Sequence, residues 1–275
     1  MPATFVVVPQ WQGSGSSRAM RLVDGAEAIR GDLPSATTRT IDVPLEAGDE
    51  QGTSVHRFSS IALVRDRLAE ALSSIEGTVI TIGGDCGVEL ASIERVLDTR
   101  NDVAVVWLDA HPDLNTPESS PSGAFTGMVL RTLLGDGPDR LVPASALNPQ
   151  RVVLAGSRSF DQCEDEYIAA NAVTTIGVTD FSAASLIAAV EATGATSVYV
   201  HIDVDVLDPS EFVGVGSAEP FGLSAADLVE AVKALLARFP LAGAGITEFA
   251  PATPSDAVED LPTILRLVGA LAAGS

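Results

Sequence analysis

Three short stretches carry side chains that could do chemistry together. "WLDAHPDLN" supplies Asp109, His111, Asp113 and Asn115, "HIDVDVLDP" supplies Asp203, Asp205 and Asp208, and "GGDCG" supplies Asp85 and Cys86. Each follows an apolar run, so the carboxylates emerge from a buried interior at a strand end. Residues two apart in an extended segment point to the same face. The spacing therefore predicts that Asp109 and His111 project together, with Asp113 close behind, and that Asp203 and Asp205 do the same. Crowded anions repel unless a cation neutralises them. Carboxylates with one imidazole suit a fairly hard divalent ion such as manganese, and one aspartate can bridge two ions. "DAHPD" alone could be a polar loop after a strand, but two such clusters at strand ends are much harder to explain that way.

The elements that must position these residues alternate along the chain. Strand-like runs cover 4–9, 39–44, 77–83, 103–110, 151–156, 173–178, 197–207 and 242–249. They are near-continuous in Val, Ile and Leu, the pattern of strands buried on both faces. Helical periodicity covers 59–75, 87–99, 181–193, 224–239 and 254–273, with Ser224 and Ser255 as expected N-caps. Neither a repeat nor a long Pro/Gly linker divides the chain. The expectation is one α/β domain over 1–275, a three-layer α-β-α fold with a mainly parallel central sheet. Strand-to-helix turns such as 83–87 are where open parallel sheets place their sites.

Composition narrows the partners. A net charge of −21 over 275 residues argues against nucleic acid and anionic membrane, which would be repelled. A cation or cationic substrate would be attracted, although acidity can also serve solubility alone. No run reaches the roughly 18 apolar residues of a membrane span, and the first residues lack the pattern of a secretory leader. Two cysteines, Cys86 and Cys163, make no disulfide framework, so a reduced, cytoplasmic setting is expected.

These motifs resemble the ureohydrolase family of arginases and agmatinases. Asp109, Ala110, His111, Asp113 and Asn115 match its Asp-Ala-His-x-Asp-x-Asn in full, and Asp203, Asp205, Asp208 and Pro209 match its Asp-x-Asp-x-x-Asp-Pro. Gly83, Gly84, Asp85 and Cys86 match Gly-Gly-Asp-His with one change. The resemblance spans essentially the whole chain and implies a three-layer fold and metal-dependent hydrolysis of a guanidino group. It implies that Asp109 and Asp203 bridge two manganese ions, that His111 and Asp205 complete one site, and that Asp113 belongs to the other beside Cys86. Asn115, Ser120 and Ser122 would hold a substrate α-carboxylate, Asp161 would read its α-amino group, and Glu248 would pair with the guanidinium. That set favours an arginine-like amino acid over agmatine. Water activated at manganese would attack the guanidino carbon, with Asp113 relaying the proton to the departing amine.

Two departures stand out. Cys86 replaces a metal-binding histidine, and Thr126 replaces a histidine credited with proton shuttling; Ala124 also replaces an asparagine of the substrate loop. Thiolate is a soft ligand for manganese and a neutral thiol a poor one, so the site nearest Cys86 is expected to be weakened. Zinc recruitment by Cys86 fits less well among carboxylates, and a nucleophilic Cys86 lacks an evident histidine base. The remaining histidines are read as a satisfied core residue, His201, and a surface residue, His56. The Gly-Gly-Asp-Cys turn resembles a branch of the family that hydrolyses N-omega-hydroxy-L-arginine to L-ornithine and hydroxyurea in D-cycloserine biosynthesis. The electron-withdrawing hydroxyl makes that substrate less basic than arginine and suited to a site with less proton-handling power. The alternatives are an arginase with an altered metal site, a hydrolase of another guanidino acid, or a non-catalytic sensor of metal or amino acid. A homo-oligomer is compatible with the family and is left open by the residues.

Overall fold

The computed structural model describes residues 3–275. The chain begins with β1 (Thr4–Val8), α1 (Arg21–Asp32), β2 (Thr38–Thr40), α2 (Phe58–Ser73), β3 (Val79–Gly83), α3 (Glu89–Leu97) and β4 (Val103–Leu108). It continues through α4 (Val129–Leu133), β5 (Val152–Ala155), α5 (Gln162–Asn171), β6 (Thr174–Ile176) and α6 (Ala183–Ala192). The last elements are β7 (Ser197–Asp203), α7 (Ala225–Arg238), β8 (Leu241–Thr247) and α8 (Pro254–Ala273). The strands form one all-parallel eight-stranded sheet in the order β2-β1-β3-β8-β7-β4-β5-β6. Helices cover both faces, as the unbroken apolar strands require.

Strand alternation divides the core. Along β4, Ala104, Val106 and Leu108 join the core beneath α1, α6, α7 and α8. Val103, Val105 and Trp107 point the other way, into the core beneath α2, α3 and α4. Helices α1, α4 and α5 go beyond the sequence reading; α5 buries little besides Glu164, so it has no apolar stripe to read. Ser224 caps α7, its Oγ accepting from Asp227 N at 3.1 Å. Ser255 does not cap α8: Thr253 does, with Pro254 in the first helical position, where its missing N–H costs nothing.

Among the strands that stop earlier than their apolar runs suggest, β4 and β7 are ended by their own acidic residues. Asp203 Oδ1 accepts from Asp205 N at 2.8 Å and turns 204–206 into a short 3₁₀ segment. Asp109 Oδ1 accepts from His111 N at 2.6 Å just past β4. Such local side-chain bonds compete with the sheet ladder and end it. Asp109, His111 and Asp113, and likewise Asp205, are therefore gathered by turns, which corrects the extended-segment argument for their grouping.

The four central strands β3, β8, β7 and β4 are neighbours, although β3 and β4 are consecutive in sequence. Their carboxyl ends open at one crevice, the place where open parallel sheets bind ligands. The loops after β1 and β3 also meet there: a Cβ on Gly84 would lie 1.6 Å from Gln10 O, so only glycine permits the approach.

Candidate active site and metal centre

The turn after β3 is built by Asp85. Its carboxylate accepts from Gln10 Nε2 at 2.7 Å, Gly13 N at 2.8 Å and Gly87 N at 2.9 Å, which ties the β1 loop to the start of α3. Burial pushes Asp85 up to about 6, against the pull of these donors. Asp85 is thus a framework residue that sets Cys86 in place. Asp208 is likewise structural, accepting from Ser210 N and Gly222 N at 2.9 Å each.

Cys86, Asp109, Asp113, Asp203, Asp205, His111 and Glu248 come together across the central strands. Donor atoms of Cys86, Asp109, Asp113 and His201 lie within 4.8 Å of one another, as do those of Cys86, Asp203 and Glu248, and those of Asp109, His111 and Asp205. His111 Nδ1 is 3.0 Å from Asp205 Oδ2 and 3.6 Å from Asp109 Oδ1. Trp107 Nε1 donates to Asp109 Oδ2 at 3.1 Å, and Ala110 N donates to Asp205 Oδ1 at 3.1 Å. Asp113 sits in the left-handed region at φ +53°, and its Oδ2 is buried with no hydrogen-bond partner.

Two like charges 4 Å apart repel by about 4 kcal/mol at an effective dielectric near 20. Burial, followed by the charge of Asp109, holds Asp113 well above the usual carboxylate range. Burial and then Asp205 do the same to Asp203, while burial and then Asp109 raise Asp205. Glu248 rises to about 8 through burial and then the charge of Asp85. Burial opposes the charged form of His111, yet the bonds to Asp109 and Asp205 outweigh it and push the imidazole up to about 12. Burial would raise Asp109, but His111 and His201 outweigh it and hold this carboxyl below its ordinary value. Even with His111 protonated, the buried carboxylates outnumber the positive charge that faces them. Oxygen donors, two imidazoles and an orphaned buried oxygen fit hard divalent cations, and Asp109 and Cys86 each belong to two of the donor groups.

A cavity of about 430 Å³ opens over this cluster and is lined by His111, Asp113, Asn115, Ser120, Ser122, Thr126, Asp161, Asp203, Asp205 and Glu248, among others. Asn115 Nδ2 donates to Asp161 Oδ2 at 2.8 Å, so two residues distant in sequence share one wall. Ser120 and Ser122 stand at the rim, where their hydroxyls accept from Gly123 N and Ala124 N. Glu248, at φ +64°, accepts on Oε1 from Thr126 Oγ1 at 2.6 Å and from Cys86 N at 3.3 Å.

Three residues outside the sequence reading, Glu164, Arg158 and Glu219, shape the site, together with His201. Glu164 is buried and accepts from Leu114 N and Asp161 N at 2.9 Å each; its place three residues after Asp161, a capping-box spacing, is the signal that could have found it. Arg158 donates to the carbonyls of Asp205 and Glu219 at 2.8 Å each, clamping the loop after β7. Glu219 Oε1 lies 3.8 Å from His111 Nε2, an outer carboxylate on a candidate ligand imidazole. His201 corrects the reading of a satisfied core histidine: it is fully buried, its Nδ1 has no hydrogen-bond partner, and its Nε2 lies 4.0 Å from Cys86 Sγ. An imidazole does stand beside Cys86, then, but the residue is only 1% exposed and does not line the cavity, which disfavours it as a nucleophile. His56 is exposed, as expected, and packs beneath Gly123.

Known proteins resemble this chain in sequence and in fold. An arginase of Staphylococcus aureus (strain COL) is 32% identical over 194 residues, covering 66% of this chain and 64% of its own length. The match thus spans just under two thirds of that relative. An arginase of Entamoeba histolytica is 28% identical over 244 residues and 82% of each chain. The crystal structure of Entamoeba histolytica arginase in complex with L-ornithine has the same fold, with a TM-score of 0.86 at 24% identity over 98% of this chain and 97% of that one. A family model described as the arginase family matches residues 17–263, and on that span the chain belongs to the arginase family.

Proposed function

We propose that the protein is a manganese-dependent amidinohydrolase that cleaves N-omega-hydroxy-L-arginine to L-ornithine and hydroxyurea, in the manner of D-cycloserine-type antibiotic biosynthesis. The observation that carries this reading is one cavity lined both by the acidic cluster with Glu248 and by the Asn115–Asp161 pair. A cation-deficient cluster and an amino-acid-reading wall on one cavity fit a substrate with a guanidino group at one end and an amino acid at the other.

Asp109, His111, Asp113, Asp203 and Asp205 would hold the ions, with Cys86 a weak ligand at one of the two sites. When bound, two divalent ions supply the missing positive charge and make water acidic enough to serve as a nucleophile near neutral pH. Both protein donors to Glu248 reach Oε1, which leaves Oε2 to accept a guanidino N–H. Asn115, Ser120 and Ser122 receive the α-carboxylate, and Asp161 the α-amino group. Asp113, buried with a free oxygen and facing the cavity, takes a proton from the attacking water and hands it to the departing amine. Thr126 does not titrate near neutral pH and cannot shuttle a proton as a histidine would, so this relay suits a substrate less basic than arginine. Two unpaired thiols fit the reducing cytoplasm.

The second reading is an arginase with an altered metal site, favoured by the arginases among its relatives. Ornithine release from N-omega-hydroxy-L-arginine and L-arginine, side by side with manganese-loaded protein, separates the two. A strong preference for the hydroxylated substrate is expected; equal or better use of arginine overturns the proposal. Binding of either without ornithine release would make the protein a sensor.

A further inference from the structure

Behind Cys86, on the side away from the cavity, lies a polar chain that the proposed reaction does not use. Tyr199 and His201 project from β7 into the layer beneath α3, and both are buried. Tyr199 Oη donates to Glu89 Oε2 at 2.6 Å. The other oxygen, Glu89 Oε1, faces His201 Nδ1 at 3.7 Å, and these two atoms are both buried without a hydrogen-bond partner. Buried polar atoms are rarely left so. Small side-chain movements would join them to each other.

The neighbours confirm that space is reserved for this pair. Gly245 of β8 stands opposite His201 in the sheet register, and a Cβ there would lie 1.5 Å from Glu89 Oε1. Trp107 stacks on the His201 ring with centroids 3.6 Å apart and planes at 20°, which sets the ring orientation. So held, His201 presents Nε2 to Cys86 Sγ at 4.0 Å and to Asp109 Oδ2 at 3.7 Å. Thr247, fully buried at the end of β8, brings Oγ1 to 3.3 Å from the same sulfur. A third contact joins Sγ to Asp203 Oδ2 at 3.4 Å, on the side of the acidic cluster.

We propose that His201 and Thr247 are positioning residues that hold the Cys86 sulfur as a metal ligand, with Glu89 fixing the imidazole. The Thr247 O–H and, with the ring protonated at both nitrogens, the His201 Nε2–H donate to Sγ, which stays grouped with donor oxygens of Asp109, Asp113 and Asp203. Hydrogen bonds to a ligating sulfur withdraw electron density from it, and outer partners of ligands set metal affinity. A sulfur so held is a harder and better-aimed donor than a free thiol, which lets a carboxylate centre keep an ion on the cysteine side. This inference rests on the reading of the cluster as a metal centre, but not on any substrate.

The test is metal binding by the full chain, with substrate left out. Manganese stoichiometry and affinity are measured by equilibrium dialysis, and the cobalt(II)-loaded protein is examined for thiolate-to-metal absorption in the near ultraviolet. Cys86→Ser should abolish that absorption. His201→Phe keeps a stacking ring on Trp107 but removes the donor; it should weaken one ion roughly ten- to a hundredfold, spare the other, and shift the thiolate band. His201→Gln, which restores an N–H, should recover much of both. Thr247→Val removes the second donor with little change of volume and should move both readouts in the same direction, which keeps the test decisive if His201→Phe fails to fold. Unchanged affinities and band in Thr247→Val and in folded His201→Phe would overturn the proposal, as would a thiolate band unaffected by Cys86→Ser. Absence of ornithine from every guanidino amino acid, with these metal results as expected, would sink the proposed reaction and leave this inference standing.

Discussion

Thr126→Val isolates the group that replaces a proton-shuttling histidine. Thr126 Oγ1 donates to Glu248 Oε1 at 2.6 Å and is one of the donors pulling the Glu248 carboxyl down, against burial and Asp85, which push it to about 8. Valine fills nearly the same volume and leaves the bond from Thr126 N to Gly13 O untouched, so the fold should survive. A hydrogen bond to a charged group contributes about 1.5–3 kcal/mol. At about 1.36 kcal/mol per tenfold change, its loss predicts a fall of roughly 10- to 150-fold in kcat/KM. The sign of the pH effect follows from the same contact. Glu248 must be ionised to hold a guanidinium, and valine removes a donor that favours the ionised form, so the acid limb of the kcat/KM profile moves to higher pH. Bound cations lower Glu248 in both proteins, and the difference between the limbs remains. The assay is ornithine release from N-omega-hydroxy-L-arginine across pH 6–10. Activity within about twofold of wild type, with an unmoved acid limb, would refute the role assigned to Thr126.

Four further outcomes are expected. Asp109→Ala and Asp203→Ala should each abolish turnover and lower the bound manganese measured by elemental analysis; near wild-type turnover in either would remove the mechanism. Cys86→His should raise metal occupancy and improve hydrolysis of plain arginine, and an unchanged metal count would contradict the ligand role of position 86. Cys86→Ala should retain folding and some turnover, whereas complete loss with full metal content would revive a nucleophilic cysteine. Without metal, Asp113, Asp203, Asp205, Glu248 and His111 all have folded-state values raised above their ordinary ones. Between pH 5 and 8 the folded state therefore holds more protons than the unfolded chain, and stability falls as pH rises. Thermal melts should show a lower Tm for the metal-free protein at pH 8 than at pH 5, with manganese restoring more at pH 8.

The alternation of strands and helices, the burial of the sheet on both faces and the placing of acidic residues at strand ends were all legible in the chain, because hydrophobic periodicity and Asp-rich strand ends are local signals. Asp109, His111, Asp113, Asp203 and Asp205 could be named for the same reason: their side chains sit within a few residues of one another. Glu248 and the Asn115–Asp161 pair were reached only through resemblance, and their contacts with Thr126 and with each other depend on which strand ends are neighbours. Sheet order decides that. Placing β7 and β8 between β3 and β4 is a matter of tertiary packing, and it sets Cys86 beside Thr247, His201 and Asp203, which lie 115 to 161 residues away in the chain. His201 shows the boundary most clearly. The sequence reading made it a satisfied core residue, and only the folded protein puts Glu89 behind it, Gly245 across from it and the sulfur in front. Local sequence determines which groups can ionise, ligate or turn the chain; burial and strand order determine which of them must share one charge environment.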